Sequence, residues 1–159
     1  MFREIRRKDR LVSDETGIEL LNTCEYGVLS VLGDDDYPYG VPISIAYKDN
    51  CIYAHGFLEG HKLDAIKKHP KVCLTAVAGV EVMKKQVATN YTSVIVFGKA
   101  KVIPPPENEA RKTAFAAIID KYIPDDEELT SKYIKAKEND TAVIKIEIEH
   151  MTCKQRNIK

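Results

Sequence analysis

The chain has 159 residues, 44% of them hydrophobic and 30% charged, with 24 Lys plus Arg balanced by 24 Asp plus Glu. That length fits one domain with a real core. A formal net charge of zero leaves no field to gather nucleic acid or an anionic membrane. No apolar run is long enough to span a bilayer as a helix, and the charged first ten residues do not read as a secretory signal. Cys24, Cys51, Cys73 and Cys153 lie far apart with no C-x-x-C pair, so no zinc site is expected. Free thiols and a cytoplasmic location follow as expectations.

In chain order, Ser13 followed by Asp14 and Glu15 predicts a helix start, with Ile18, Leu20 and Leu21 inward and an end near Cys24. Gly27 opens an apolar run over 28–32 that reads as a strand, and Gly33, three aspartates and Pro38 form a turn. From Val41 the residues alternate: Val41, Ile43, Ile45 and Tyr47 on one face, Pro42, Ser44, Ala46 and Lys48 on the other. Asp49-Asn50 reads as a two-residue hairpin turn into a strand over 51–55. Counting back from Lys48 opposite Cys51 sets Ser44 against His55.

Residues 56–60 connect to a short helix over 61–68, with Leu63 and Ile66 inward, which Pro70 stops. Strands are expected over 71–77 and 93–103, the latter with a bulge at Gly98, while 81–90 reads as a strand followed by a loop. Residues 107–122 form a helix striped by Ala110, Ala114, Ala117 and Ile118. A second helix covers 126–137, and a last strand, 142–149, alternates Ile144, Ile146 and Ile148 with charged residues. Strands joined by short loops, with few helices between them, predict an α+β chain: a six-stranded antiparallel barrel carrying a helical insert, about 107–138, before its last strand.

Chemistry concentrates at His55-Gly56, Gly60, His61 and Lys62. A helix N-terminus offers unpaired N–H groups and a partial positive charge to an anion, and a glycine lets the backbone approach. A cation in the first turn opposes the dipole, so Lys62 gains from a phosphate there; the bland alternative is a lysine reaching into solvent. His55 is either a hydrogen-bonded structural residue or a proton donor. No Ser-His-Asp arrangement, H-E-x-x-H or phosphate-loop signature is present.

The run 6–10 (Arg-Arg-Lys-Asp-Arg), Pro38-Tyr39-Gly40-Val41-Pro42, Ile52-Tyr53-Ala54-His55-Gly56, Glu59-Gly60-His61-Lys62-Leu63 and Tyr91-Thr92-Ser93-Val94 with Phe97-Gly98 resemble, in order, the pyridoxamine 5′-phosphate oxidase-related split-barrel flavoproteins. Within that group the pattern is most similar to the nitroimidazole-reductase branch. The resemblance implies a six-stranded split barrel, a homodimer and FMN in each interfacial cleft. Pro42, Ile43, Ser44 and Ile45 would lie along the flavin ring, largely through their backbone. His61 and Lys62, with Gly56, would hold the phosphate, and Thr92, Ser93 and Val94 would add contacts. His55 would lie near the flavin as a candidate catalytic proton donor. A small-molecule acceptor, nitroaromatic compounds included, and NAD(P)H or another donor would be the partners. The Arg-rich substrate signature of a true pyridoxamine phosphate oxidase is missing. Cys153 stands where relatives often carry Gly, which leaves Arg156 without an assigned role. A flavin- or haem-binding module without catalysis, and a dimer with an empty cleft, stay open alternatives.

Overall fold

The computed structural model describes residues 1–106, 108–137 and 139–158. Among them the order is β1 (Leu11–Val12), α1 (Asp14–Thr23), β2 (Gly27–Leu32), β3 (Pro38–Ile43), β4 (Ala46–Lys48), β5 (Cys51–Gly56), α2 (His61–Lys68), β6 (Lys71–Met83), β7 (Ala88–Ile103), α3 (Glu109–Tyr122), α4 (Glu127–Lys137) and β8 (Ala142–Arg156). Every pairing is antiparallel, in the order β3-β2-β6-β7-β8-β5-β4, with β1 added beside β8.

The expected α+β class with a mainly antiparallel sheet holds, but the described sheet has eight strands rather than six. One extra strand is β1. The other arises because the alternating run from Val41 is not one strand: it bends at Ser44 and Ile45, so β3 pairs with β2 while β4 pairs with β5. Lys48 does face Cys51, but the ladder ends at Ala46 opposite Tyr53. The expected pair of Ser44 and His55 is therefore not formed, and His55 is paired with Val143 of β8 instead.

Strands β6, β7 and β8 run further than expected. Residues 81–90 belong to one long β6–β7 hairpin. The irregularity foreseen at Gly98 is a register shift in the β7–β8 ladder between Phe97 and Gly98. A side chain on Gly98 would collide with the Glu147 carbonyl oxygen, so the two backbones approach this closely only at glycine.

Two apolar layers explain why some strands read as continuous hydrophobic runs. In β5, Ile52 and Ala54 face a core shared with Leu29, Leu74, Val96 and Ile144, which α1 closes with Leu20 and Leu21 and α2 with Leu63 and Ile66. Tyr53 and Val143 face the opposite way, where α3 covers them with Ala114, Phe115 and Ile118. Burial on both faces removes the polar alternation from which a strand is normally recognised. Helices α3 and α4 lie between β7 and β8; Glu107 and Glu138, the ends of the expected insert, lie outside the described residues. In α3 the buried stripe includes Arg111, fully enclosed, which donates to the carbonyls of Ile103 (3.3 Å) and Thr141 (2.6 Å) and lies over the Phe115 ring.

Candidate functional site

The phosphate candidate forms where β5 runs out. Gly60 caps α2 at φ +130°, a conformation that favours glycine. This turn brings Lys62 back over Gly56: a Cβ on Gly56 would stand 3.2 Å from both Cε and Nζ of Lys62. The ammonium thus lies against bare backbone beside the opening turn of α2. Lys62 forms no ion pair among the described residues, whereas Lys67 and Lys68 are paired with Asp64 and Asp34. An open groove of about 970 Å³, lined by Phe57, Leu58, Glu59, Gly60, Asp64 and Asp140, adjoins the loop. That groove carries three carboxylates, so what fits an anion is the Lys62 side of the loop: the helix-start N–H groups of His61 and Lys62, a cation without an ion pair among the described residues, and a glycine that admits close approach.

His61 has its ring engaged elsewhere. It stacks on Tyr39 at 4.3 Å between centroids and accepts from the Asp34 backbone N–H at 3.3 Å. What His61 offers at the helix start is its backbone N–H.

His55 is half-buried, and its alternation with Ala54 turns the ring toward the α3–α4 side of the sheet. There the Tyr133 hydroxyl of α4 lies 3.2 Å from Nε2, and the two rings meet edge to face. Burial, with the positive charges of Lys137 and Lys62, holds the His55 pKa below its ordinary value, so the ring is neutral at pH 7. Gly56 carries Lys62 on the opposite face of the same strand end.

The ring-side candidates gather at the other end of β3. Pro42 and Ser44 are exposed, Ile43 is half-buried and Ile45 is fully buried. The last two residues of α3, absent from the sequence reading, hold this bend. Tyr122 Oη accepts from the Ile45 N–H (3.0 Å) and lies within hydrogen-bond distance of the carbonyls of Ile45 (2.9 Å) and Glu25 (2.8 Å). Lys121 Nζ donates to the carbonyls of Ile45 (2.7 Å) and Leu21 (2.8 Å) and approaches Cys24 Sγ at 3.8 Å. Burial pulls the Lys121 pKa down and pushes the Cys24 thiol up, each opposed by the other. Burial also raises the Tyr122 phenol, opposed by its bonds to Ile45 and Ser44. No periodicity announces such contacts, which join residues 76 to 100 positions apart.

Thr92, Ser93 and Val94 reach the same region through β6, facing Ala78, Val77 and Ala76. The Val94 side chain is wholly enclosed in the core, so only its backbone is available; Thr92 accepts from Gln155 Nε2 at 3.0 Å. Between these strands and the bend lies a cavity of about 370 Å³, lined by residues 23–28 and 75–78. The ring candidates and the phosphate candidates thus occupy two ends of one strand, with Tyr39 to Ile43 spanning about 13 Å. Among the described residues no group of three metal-binding side chains occurs, and no helix is long and apolar enough to cross a membrane.

Comparison with known proteins agrees with this architecture. The family model described as pyridoxamine 5′-phosphate oxidase matches residues 13–155, so the chain belongs to that family. Among solved structures, a candidate 5-nitroimidazole antibiotic resistance protein from Bacteroides thetaiotaomicron is similar at TM-score 0.74 and 21% identity, over 91% of this chain and 86% of that one. A conserved hypothetical protein from Mycobacterium tuberculosis superposes at TM-score 0.80 and 15% identity, over 98% and 96%. The flavocytochrome Anf3 from Azotobacter vinelandii does so at 0.73 and 22%, over 98% and 73%. At these identities the likeness is one of fold. No curated protein sequence matches the chain.

Proposed function

We propose that the protein is an FMN-dependent reductase of small acceptors, active as a homodimer. The observation that carries it is the Lys62 ammonium lying over Gly56 at the start of α2, a cation without a carboxylate partner at a helix N-terminus. A terminal phosphate monoester fits such a cradle, which favours FMN over FAD. FMN, when bound, supplies hydride and electron transfer. The chain supplies the rest: Gly56, Lys62 and the α2 amides bind the phosphate, and residues 42–45, held by Lys121 and Tyr122, orient the ring. Thr92 and Ser93 border it, and His55, beside Tyr133, would pass a proton to an acceptor that is being reduced only from the protonated form that its lowered pKa makes the minor one.

Dimer formation draws support from the outer face of the sheet. Register places Pro42, Val28, Thr75, Ile95 and Thr152 in one row and Gly40, Ser30, Cys73, Phe97 and His150 in the next. Neither row contains Asp, Glu, Lys or Arg; the Phe2 ring stacks on Phe97 and His150 at one end, and the remainder suits burial against a second copy. The similarity to a flavocytochrome keeps a second reading, a haem-binding module.

Purified protein should show the oxidised-flavin absorption band, and anaerobic addition of NADH or NADPH should bleach it, with nitroaromatic acceptors restoring it. Colourless protein that leaves the fluorescence of added FMN unquenched overturns the proposal, and a Soret band in place of the flavin band selects the haem reading.

A further inference from the structure

The cavity beside the bend contains an interrupted ladder. The β2–β6 pairing ends at Val28 opposite Thr75. The Thr75 carbonyl oxygen lies 3.3 Å from where a Cβ on Gly27 would stand, so the odd-numbered residues of β6 turn their N–H and C=O toward β2. The next of these is Val77. Its counterpart in that register is Tyr26, which lies outside β2 and is 58% exposed. Past the end of that ladder, Val77 therefore turns one donor and one acceptor, side by side, toward the cavity of about 370 Å³ that it lines. Backbone groups facing a cavity in this way carry a cost unless water or a ligand satisfies them.

Resting on the flavin reading above, we infer that the Val77 strand edge is a recognition site for a planar heterocycle presenting an amide or imide edge. An N–H donor and a C=O acceptor on one residue match a ring that offers an acceptor and a donor next to each other. An acceptor-only group such as a nitro group or an ester does not match. The cavity's place supports the assignment: Gly27 pairs with Ile43, and Val77 pairs with Ser93, so the edge lies between both sets of ring candidates. Two ligands carry this chemistry: the pyrimidine end of the flavin itself and the carboxamide of a nicotinamide donor.

The Val77 amide resonance of the full-length protein reports the site directly. Its shift is followed on addition of FMN and of N3-methyl-FMN. In FMN-loaded protein it is followed again with nicotinamide and with 3-acetylpyridine, which has the acceptor but no N–H. If the flavin occupies the edge, N3 methylation weakens binding about two- to tenfold, the worth of one neutral hydrogen bond, and abolishes the Val77 shift. If nicotinamide occupies it, FMN affinity ignores methylation, while nicotinamide moves the resonance and 3-acetylpyridine does not. Either result supports the inference. Val77→Pro removes that donor from a strand edge where proline is tolerated and should weaken the occupant by a similar factor; the ligand analogues do not depend on that variant folding. Tight FMN binding with a Val77 resonance that neither ligand pair moves overturns the inference alone. Failure of FMN to bind at all overturns the flavin reading and takes this site with it.

Discussion

Tyr122→Phe removes one oxygen and leaves the ring in place, so it isolates what the α3 terminus does for the bend between β3 and β4. That oxygen is the acceptor for the Ile45 N–H, and Ile45 is 0% exposed. The Ile45 carbonyl keeps Lys121 as a donor, and Glu25 and Ser44, being exposed, exchange their bonds for water. The loss therefore reduces to one buried N–H left without a partner, about 1–3 kcal/mol. With a urea m-value of about 2 kcal/mol/M, the unfolding midpoint falls by about 0.5–1.5 M. Because the chain has no tryptophan, far-ultraviolet circular dichroism is the suitable probe. Tyr37→Phe, at a 74% exposed phenol, is the control and should leave the midpoint in place. FMN affinity should fall with Tyr122→Phe and not with the control, since residues 42–45 lose their support. A midpoint and an affinity both equal to wild type would show that the bend holds itself and that α3 merely lies beside it.

Other outcomes follow from single contacts. Arg111→Met leaves the carbonyls of Ile103 and Thr141 without their donor and should lower stability by about 2–4 kcal/mol in the same urea assay. Gly98→Ala drives a methyl into the Glu147 carbonyl and should cost about 1–3 kcal/mol, with amide exchange faster on both sides of the β7–β8 shift. The His55 pKa is lowered in the folded state, first by burial, so its neutral form contributes stability that is present above the unfolded value near 6.5 and is lost as pH falls below it. Stability should decline between pH 7 and 5, and His55→Gln should flatten that decline; an unchanged slope assigns the loss to other groups.

How much of this was legible in the chain divides by the kind of signal. Helices α1 and α2 were marked by local chemistry, Ser13 with its two acids and Gly60 before the His61 turn. The register of Lys48 on Cys51 followed from a two-residue turn and is present. The bend at Ser44 was not legible, because alternation continues unbroken through it. What breaks the strand is a pair of contacts from Lys121 and Tyr122, some 75 residues away, and no local pattern encodes them. The added lengths of the late strands, such as 78–83 and 150–156, are largely exposed or half-buried and carry no apolar stripe to mark them, and a buried arginine in α3 runs against the apolar stripe on which helix reading depends. Of the site, Gly56, Gly60 and Lys62 were singled out by glycine and helix-start arguments, but the approach of Lys62 to Gly56 was not foreseen. The engagement of His61 with Tyr39 and of His55 with Tyr133 was not, since both depend on which way a ring leaves its strand or helix.

The flavin assignment meets its most direct test in the affinities of FMN and riboflavin, which differ only in the phosphate, for wild-type protein and for Lys62→Ala. A charge-assisted contact is worth about 1.5–3 kcal/mol, so wild type should bind FMN at least about tenfold more tightly, and the gap should narrow by that amount in the variant. Equal affinities in wild type, or a gap that survives the loss of Lys62, would contradict a phosphate held over Gly56.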